Sequence, residues 1–205
     1  LIILGGIGFL TWEDFYTNKF KFKRYRMQSK IILLTTAILI FVPAIFFFVC
    51  DFGQVSIGKR TLLSLFQSVT TRTAGFNTAD LSSMTEAGQA IMILLMLIGG
   101  SPSSTAGGMK TTTAAALLLN AFATFRSRED AGAFGRRFDG QVIKNAATIA
   151  MLYFVLFFFG GITISVYEGL SLQLCLYEAA SAVGTVGLTL GITPRLHILS
   201  RLILI

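Results

Sequence analysis

Thr70-Thr71-Arg72-Thr73-Ala74-Gly75-Phe76-Asn77-Thr78 is a polar, glycine-centred run lying between two segments apolar enough to cross a membrane. A bilayer accepts non-helical backbone at that depth only where it is buried in protein or lines a watery cavity, because hydrocarbon cannot satisfy free N–H and C=O groups. An extended run there exposes carbonyls along one line, and stacked carbonyls can replace the hydration shell of a monovalent cation. The run therefore reads as a pore lining. It is entered from a half-helix at Thr61 to Val69, and Gly75 supplies a backbone conformation that a side chain would penalise.

The same pattern returns 112 positions later, where Thr185-Val186-Gly187-Leu188 falls on Thr73-Ala74-Gly75-Phe76. The flanks follow: Ile31 to Val49 falls on Ile143 to Gly161, and Leu62 to Val69 on Leu174 to Ser181. Leu1 to Gly6 matches Leu95 to Gly100 in type, so the chain reads as starting inside the last helix of an earlier unit and as part of a longer protein. The expected divisions are 1–30, the end of one unit and a polar loop; 31–140, a complete unit; and 141–205, a further unit cut short in its last helix.

Composition agrees with a membrane setting: 54% of residues are hydrophobic and only 13% charged. Eleven of the 17 basic residues sit in two short segments, Lys19 to Lys30 and Arg126 to Lys144. The positive-inside rule puts both in the cytoplasm and leaves Asp51, Asp80, Glu86 and Glu168 outside. Each basic segment lies directly against an apolar span, which favours topology determinants over a nucleic-acid patch. Trp12, Phe15 and Tyr16 read as an interfacial anchor. Cys50 and Cys175 have neither metal nor disulfide spacing and read as buried apolar residues.

From Glu86 to Phe125 the chain has 40 residues, and Lys110 is the one charge between Glu86 and Arg126. As one helix it would run about 60 Å, roughly twice the hydrocarbon thickness. Gly99-Gly100-Ser101-Pro102-Ser103-Ser104-Thr105-Ala106-Gly107-Gly108 is expected to break it near the middle, with four glycines, a proline and small hydroxyls that satisfy loosened backbone. The hairpin reads as a mobile intramembrane loop that blocks or admits ions. Close helix packing through small residues is the plainer alternative, but it explains neither Pro102 nor the length. Gly108-Met109-Lys110-Thr111 fails the spacing of a phosphate-binding loop, which needs glycine directly before lysine. A small-solute carrier using the Ser-rich hairpin is disfavoured by the two aligned Thr-x-Gly runs. A hydrolase using Ser103 or Ser104 lacks a base in that span.

Neither Thr-x-Gly run contains Asp or Glu, so oxygen dipoles must do the coordinating. The coordinating carbonyls are assigned to Thr71, Arg72, Thr73, Ala74 and Gly75 in one unit and to Gly184, Thr185, Val186 and Gly187 in the other. Arg72 is a cation beside a cation path, so its side chain must turn away or be neutralised. Two partners are open: Glu178, the one charged residue of the second half-helix, or backbone carbonyls alone. His197 reads as a surface residue, since no second ligand accompanies it.

The runs Gln67 to Thr78, Ile98 to Thr112 and Ser181 to Leu188 together resemble the Trk/Ktr/HKT superfamily of potassium transporters, most closely its bacterial Ktr pore subunits of the KtrB type. The resemblance implies an all-α membrane protein of repeated helix, pore-loop, helix units around one pore, with a broken helix forming an intramembrane gating loop. It also implies K+ as the transported ion, Na+ as coupling ion, no cofactor, a homodimer of pore subunits in the cell membrane, and a cytoplasmic nucleotide-binding regulatory ring. A Trk-type relative with different coupling is the runner-up.

Overall fold

The computed structural model describes residues 1–19, 21–128 and 130–205. In chain order its helices are α1 (Ile2–Gly6), α2 (Phe9–Asn18), α3 (Met27–Cys50), α4 (Ile57–Thr70), α5 (Glu86–Leu97), α6 (Thr111–Phe125), α7 (Gly140–Glu168), α8 (Leu172–Val183) and α9 (Ile198–Ile203). A two-residue antiparallel hairpin, β1 (Gly132–Ala133) and β2 (Arg136–Arg137), lies in the second basic segment. Sequence periodicity does not signal so short an element.

α3 and α7 are long and apolar enough to cross a membrane. They expose their apolar side chains: Phe41, Val42 and Ile45 on α3, and Met151, Phe154 and Phe159 on α7, are all more than half exposed. The polar residues Ser64, Gln67, Ser68, Thr70 and Thr71 are buried instead. That inversion suits a solvent of lipid tails. The apolar core, built on Phe47, Met92, Met96, Tyr177 and Ala180, joins α3, α5 and α8 and reaches Val186 and Leu188.

The expected break in the 40-residue segment is present. α5 stops at Leu97, α6 starts at Thr111, and the residues between are non-helical. Other expectations shift. The first half-helix begins at Ile57, four residues before Thr61. The opening helix is short: Gly8, at φ 89°, separates it from α2, whose Trp12 donates its indole N–H to the Leu4 carbonyl at 3.0 Å. Cys50 is exposed at the end of α3 rather than buried.

The 112-residue period holds in three dimensions. The 3₁₀ turns Leu81–Ser83 and Thr193–Arg195 are that far apart, as are the first residues of α5 and α9. Each unit also uses a carboxylate at the end of its outer helix to hold the start of its inner one. Asp51 accepts the N–H and hydroxyl of Thr85, both at 2.8 Å, and Glu168 accepts the N–H of His197 at 2.8 Å and the hydroxyl of Ser200. The negative charge sits where orphan N–H groups and the helix dipole favour it. His197 is exposed, as expected, with its ring against Tyr167.

Asp51→Ala leaves the Thr85 donors without their acceptor and is expected to cost about 1–3 kcal/mol. A thermal melt of the purified full-length protein measures this, and an unchanged midpoint would show that the carboxylate does not hold the two helices together.

Candidate functional site

α4 packs against α3, and α8 packs against α7 and α5, so each half-helix is clamped behind a membrane-spanning one. Beyond their C-termini the two chains take the same path. Thr73 has φ 58° and Thr185 φ 54°, and Gly75 has φ 70° and Gly187 φ 90°. Both pairs are 112 residues apart. Left-handed backbone at a β-branched threonine costs on the order of 1–3 kcal/mol and persists only where its surroundings over-determine it.

Those surroundings are hydrogen bonds to the last turn of each half-helix. The Thr70 carbonyl accepts from Ala74 (3.2 Å) and Gly75 (3.1 Å), and the Ser181 carbonyl accepts from Val186 (2.8 Å). The Thr70 hydroxyl donates to the Phe76 carbonyl at 2.7 Å, and the Ser181 hydroxyl accepts from the Gly187 N–H at 3.1 Å. Sequence reasoning assigned no role to these two hydroxyls. Their signal is a small hydroxyl residue in the last turn of each half-helix.

The loops differ from the expected extended run. Thr71 to Ala74 form turns, with Thr71 itself in right-handed conformation, and the chain becomes irregular only from Gly75. Alternation of left- and right-handed residues still rotates successive peptide planes, which allows neighbouring carbonyls to face one side. The carbonyls of Thr71 to Gly75 and of Gly184 to Gly187 accept no hydrogen bond from any described residue. The two loops also meet: a Cβ placed on Gly75 would lie 2.1 Å from the Val186 carbonyl oxygen.

The hairpin 98–110 folds back on itself through a parallel bridge between Ile98 and Met109, with Gly99 N–H donating to Met109 at 2.8 Å and Thr111 N–H to Gly100 at 3.0 Å. Its tip is tied to the preceding unit, where Ser101 N–H donates to Gly6 and Phe9 N–H to Ser103, each at 3.0 Å. The hydroxyls of Ser101 and Thr111 meet at 3.1 Å, and Ser104 accepts the Ala106 N–H at 3.3 Å, so these hydroxyls bond within the hairpin. Lys110 donates to the Ala106 carbonyl at 2.7 Å, which places its ammonium on the hairpin.

The hairpin touches the second loop and faces the first across a gap. A Cβ on Gly107 would lie 1.9 Å from the Thr185 hydroxyl oxygen, a spacing only glycine permits. Facing the first loop, a cavity of about 250 Å³ separates Arg72, Thr73 and Ala74 from Thr105 and Ala106.

The expected Arg72–Glu178 pair does not form. No ion pair joins them within 4.0 Å among the described residues. Arg72 is buried and turns toward α3, where Nη2 lies 3.5 Å from the Thr36 hydroxyl, with no hydrogen-bond partner at Nε. Glu178 is taken by its own unit, accepting from the Thr189 and Thr193 hydroxyls (2.7 and 2.5 Å) and the Leu190 N–H (3.0 Å). Neutral donors a few residues past the second loop thus satisfy the carboxylate before the neighbouring unit can. The stabilities of Arg72→Met and Glu178→Gln are accordingly expected to add within about 0.5 kcal/mol in a double-mutant cycle on the full-length protein. A coupling well above that would restore the pair.

The chain is similar to known proteins over its whole length. The model of a family described as TrkH, cation transport protein, matches residues 1–205. The chain is 36% identical to the potassium/sodium uptake protein NtpJ of Enterococcus hirae and 33% identical to the Ktr system potassium uptake protein B of Bacillus subtilis. Each alignment covers 100% of this chain and 47% of the relative, so the chain spans about half the length of these curated relatives. The crystal structure of the potassium transporter TrkH from Vibrio parahaemolyticus shares the fold at TM-score 0.77, with 18% identity, over 99% of this chain and 46% of that one.

Proposed function

We propose that this chain, which belongs to the TrkH family of cation transport proteins, forms part of a membrane pore that takes up K+. The carbonyls of Thr71 to Gly75 and Gly184 to Gly187 lower the cost of dehydrating the ion, and the hairpin Gly99 to Gly108 gates its passage. The observation that carries this reading is the convergence of two loops of matching handedness whose carbonyls accept no hydrogen bond from any described residue. A soluble core would not leave such acceptors unused. The relatives named as potassium uptake proteins favour K+ as the ion. Na+ dependence draws on the potassium/sodium uptake protein among them. A homodimer of pore subunits, regulated by a cytoplasmic nucleotide-binding ring, completes the proposal and rests on the resemblance to Ktr pore subunits.

The gate assignment draws on position. The hairpin lies against Thr185 of one loop and across the 250 Å³ cavity from Thr73 of the other. Gating requires that it move, and the conformational freedom of four glycines makes a second backbone path accessible.

Rb+ uptake in cells lacking their own potassium uptake, with the full-length protein at matched expression, tests both parts. Gly75→Ser places a side chain at φ 70° against the Val186 carbonyl. The left-handed backbone alone costs about 1–2 kcal/mol, so uptake or K+ preference is expected to fall roughly tenfold. Unchanged uptake and selectivity would make the loop merely structural. Gly107→Ala forces the hairpin off Thr185 and is expected to raise basal flux; flux at the wild-type level would remove the gate assignment.

A further inference from the structure

On the basic face of the protein, the first turns of α3, the start of α6, β2 and the first three turns of α7 enclose a groove of about 580 Å³ that neither the loops nor the hairpin uses. Its floor is apolar and buried, made by Ile31, Ala116 and Ala146. Its far end is Ile149, about 13 Å along α7 from Gly140 at 1.5 Å rise per residue, and this residue is 41% exposed among the apolar side chains that face lipid. Its near end carries Arg26 and Arg136.

The two arginines are not equivalent. Arg26 is held by Glu13 at 3.0 Å and Asp14 at 3.6 Å, which neutralise most of its charge. Arg136 has no carboxylate within 4.0 Å among the described residues, and it is exposed. Its position is set by the hairpin, whose Phe134 sits on the Lys30 ammonium together with Phe22 of the first basic segment. Asn145 adds a second donor, since its side-chain oxygen already accepts from Gln141 at 2.9 Å and its amide nitrogen is left to donate. Among the described residues, no Asp or Glu lines the groove.

We propose that this groove binds an anionic phospholipid, with the phosphate on Arg136 and Asn145 and an acyl chain along the apolar floor toward Ile149. The charge arrangement chooses the headgroup. Donors and an unpaired cation receive phosphate, and the carboxylates at this end, Glu13 and Asp14, are already taken by Arg26 rather than offered to the ammonium of a zwitterionic lipid. The length of the apolar floor chooses lipid over a soluble phosphate, which would leave that surface unfilled. Basic pockets between helices on the cytoplasmic side are where acidic headgroups are recognised.

Native mass spectrometry of the full-length protein, exchanged against phosphatidylglycerol and phosphatidylethanolamine, tests this with three variants. Wild type is expected to retain phosphatidylglycerol in preference to phosphatidylethanolamine. Arg136→Gln is expected to lower that retention about fivefold, and Ala146→Trp, which fills the floor, to abolish it. Arg128→Gln, a basic-segment change outside the groove, is expected to leave it intact, which separates the site from net charge. Should Ala146→Trp not fold, Arg136→Gln against Arg128→Gln decides alone. Equal retention by those two variants, equal binding of the two lipids, displacement by inorganic phosphate, or a full-length structure with polypeptide in the groove would each overturn the proposal.

Discussion

Backbone that leaves the helix inside a bilayer has to find its hydrogen bonds within the protein, because hydrocarbon supplies none. Three stretches of this chain do so, and the rest of the fold is arranged to satisfy them. The loop after α4 closes on the Thr70 carbonyl and hydroxyl, and the loop after α8 closes on Ser181 and Glu178. The hairpin after α5 pairs with itself and with Gly6 and Phe9. In the two loops, most N–H groups are served while a run of carbonyls is left over. A cation can complete such a set; a second donor from the protein would spoil it.

The cost is visible in the backbone. Two threonines hold left-handed conformations that β-branched residues avoid, at the same place in each unit. Such strain survives where packing fixes it, and here the half-helices, the buried core around Met92 and Tyr177, and the outer carboxylates Asp51 and Glu168 all fix the same geometry. Buried Arg72 adds a positive charge behind the first loop, with the Thr36 hydroxyl as the hydrogen-bond partner of its guanidinium. The first loop and the hairpin are separated by open space, whereas the second loop is in contact with it. The two halves of the site are therefore not equivalent, although their loops are.

Much of this was legible in the residues. The 112-position repeat, the two spans and the break between Leu97 and Thr111 follow from apolar length and from where glycine and proline fall, which are local properties. The meeting of Gly75 with Val186, and of Gly107 with Thr185, depends on how units pack, and no local pattern encodes it. Arg72 shows the limit most clearly. Sequence reasoning offered it Glu178 or backbone carbonyls, but the hydroxyls of Thr189 and Thr193 reach that carboxylate first and the guanidinium meets the Thr36 hydroxyl instead. Thr70 and Ser181 were passed over because a hydroxyl at a helix end has many uses, and only the loop path shows which one applies. The hairpin at Gly132–Arg137 was hidden by its brevity.

The central claim is that the two loops form one ion path through their carbonyls. The most direct measurement is anomalous scattering from crystals of the full-length protein soaked in Rb+ or Tl+. The account predicts a peak on the line between Thr73–Gly75 and Thr185–Gly187, within coordination distance of carbonyl oxygens from both loops. Ordered heavy cation elsewhere in the protein, with none between these loops, would contradict it.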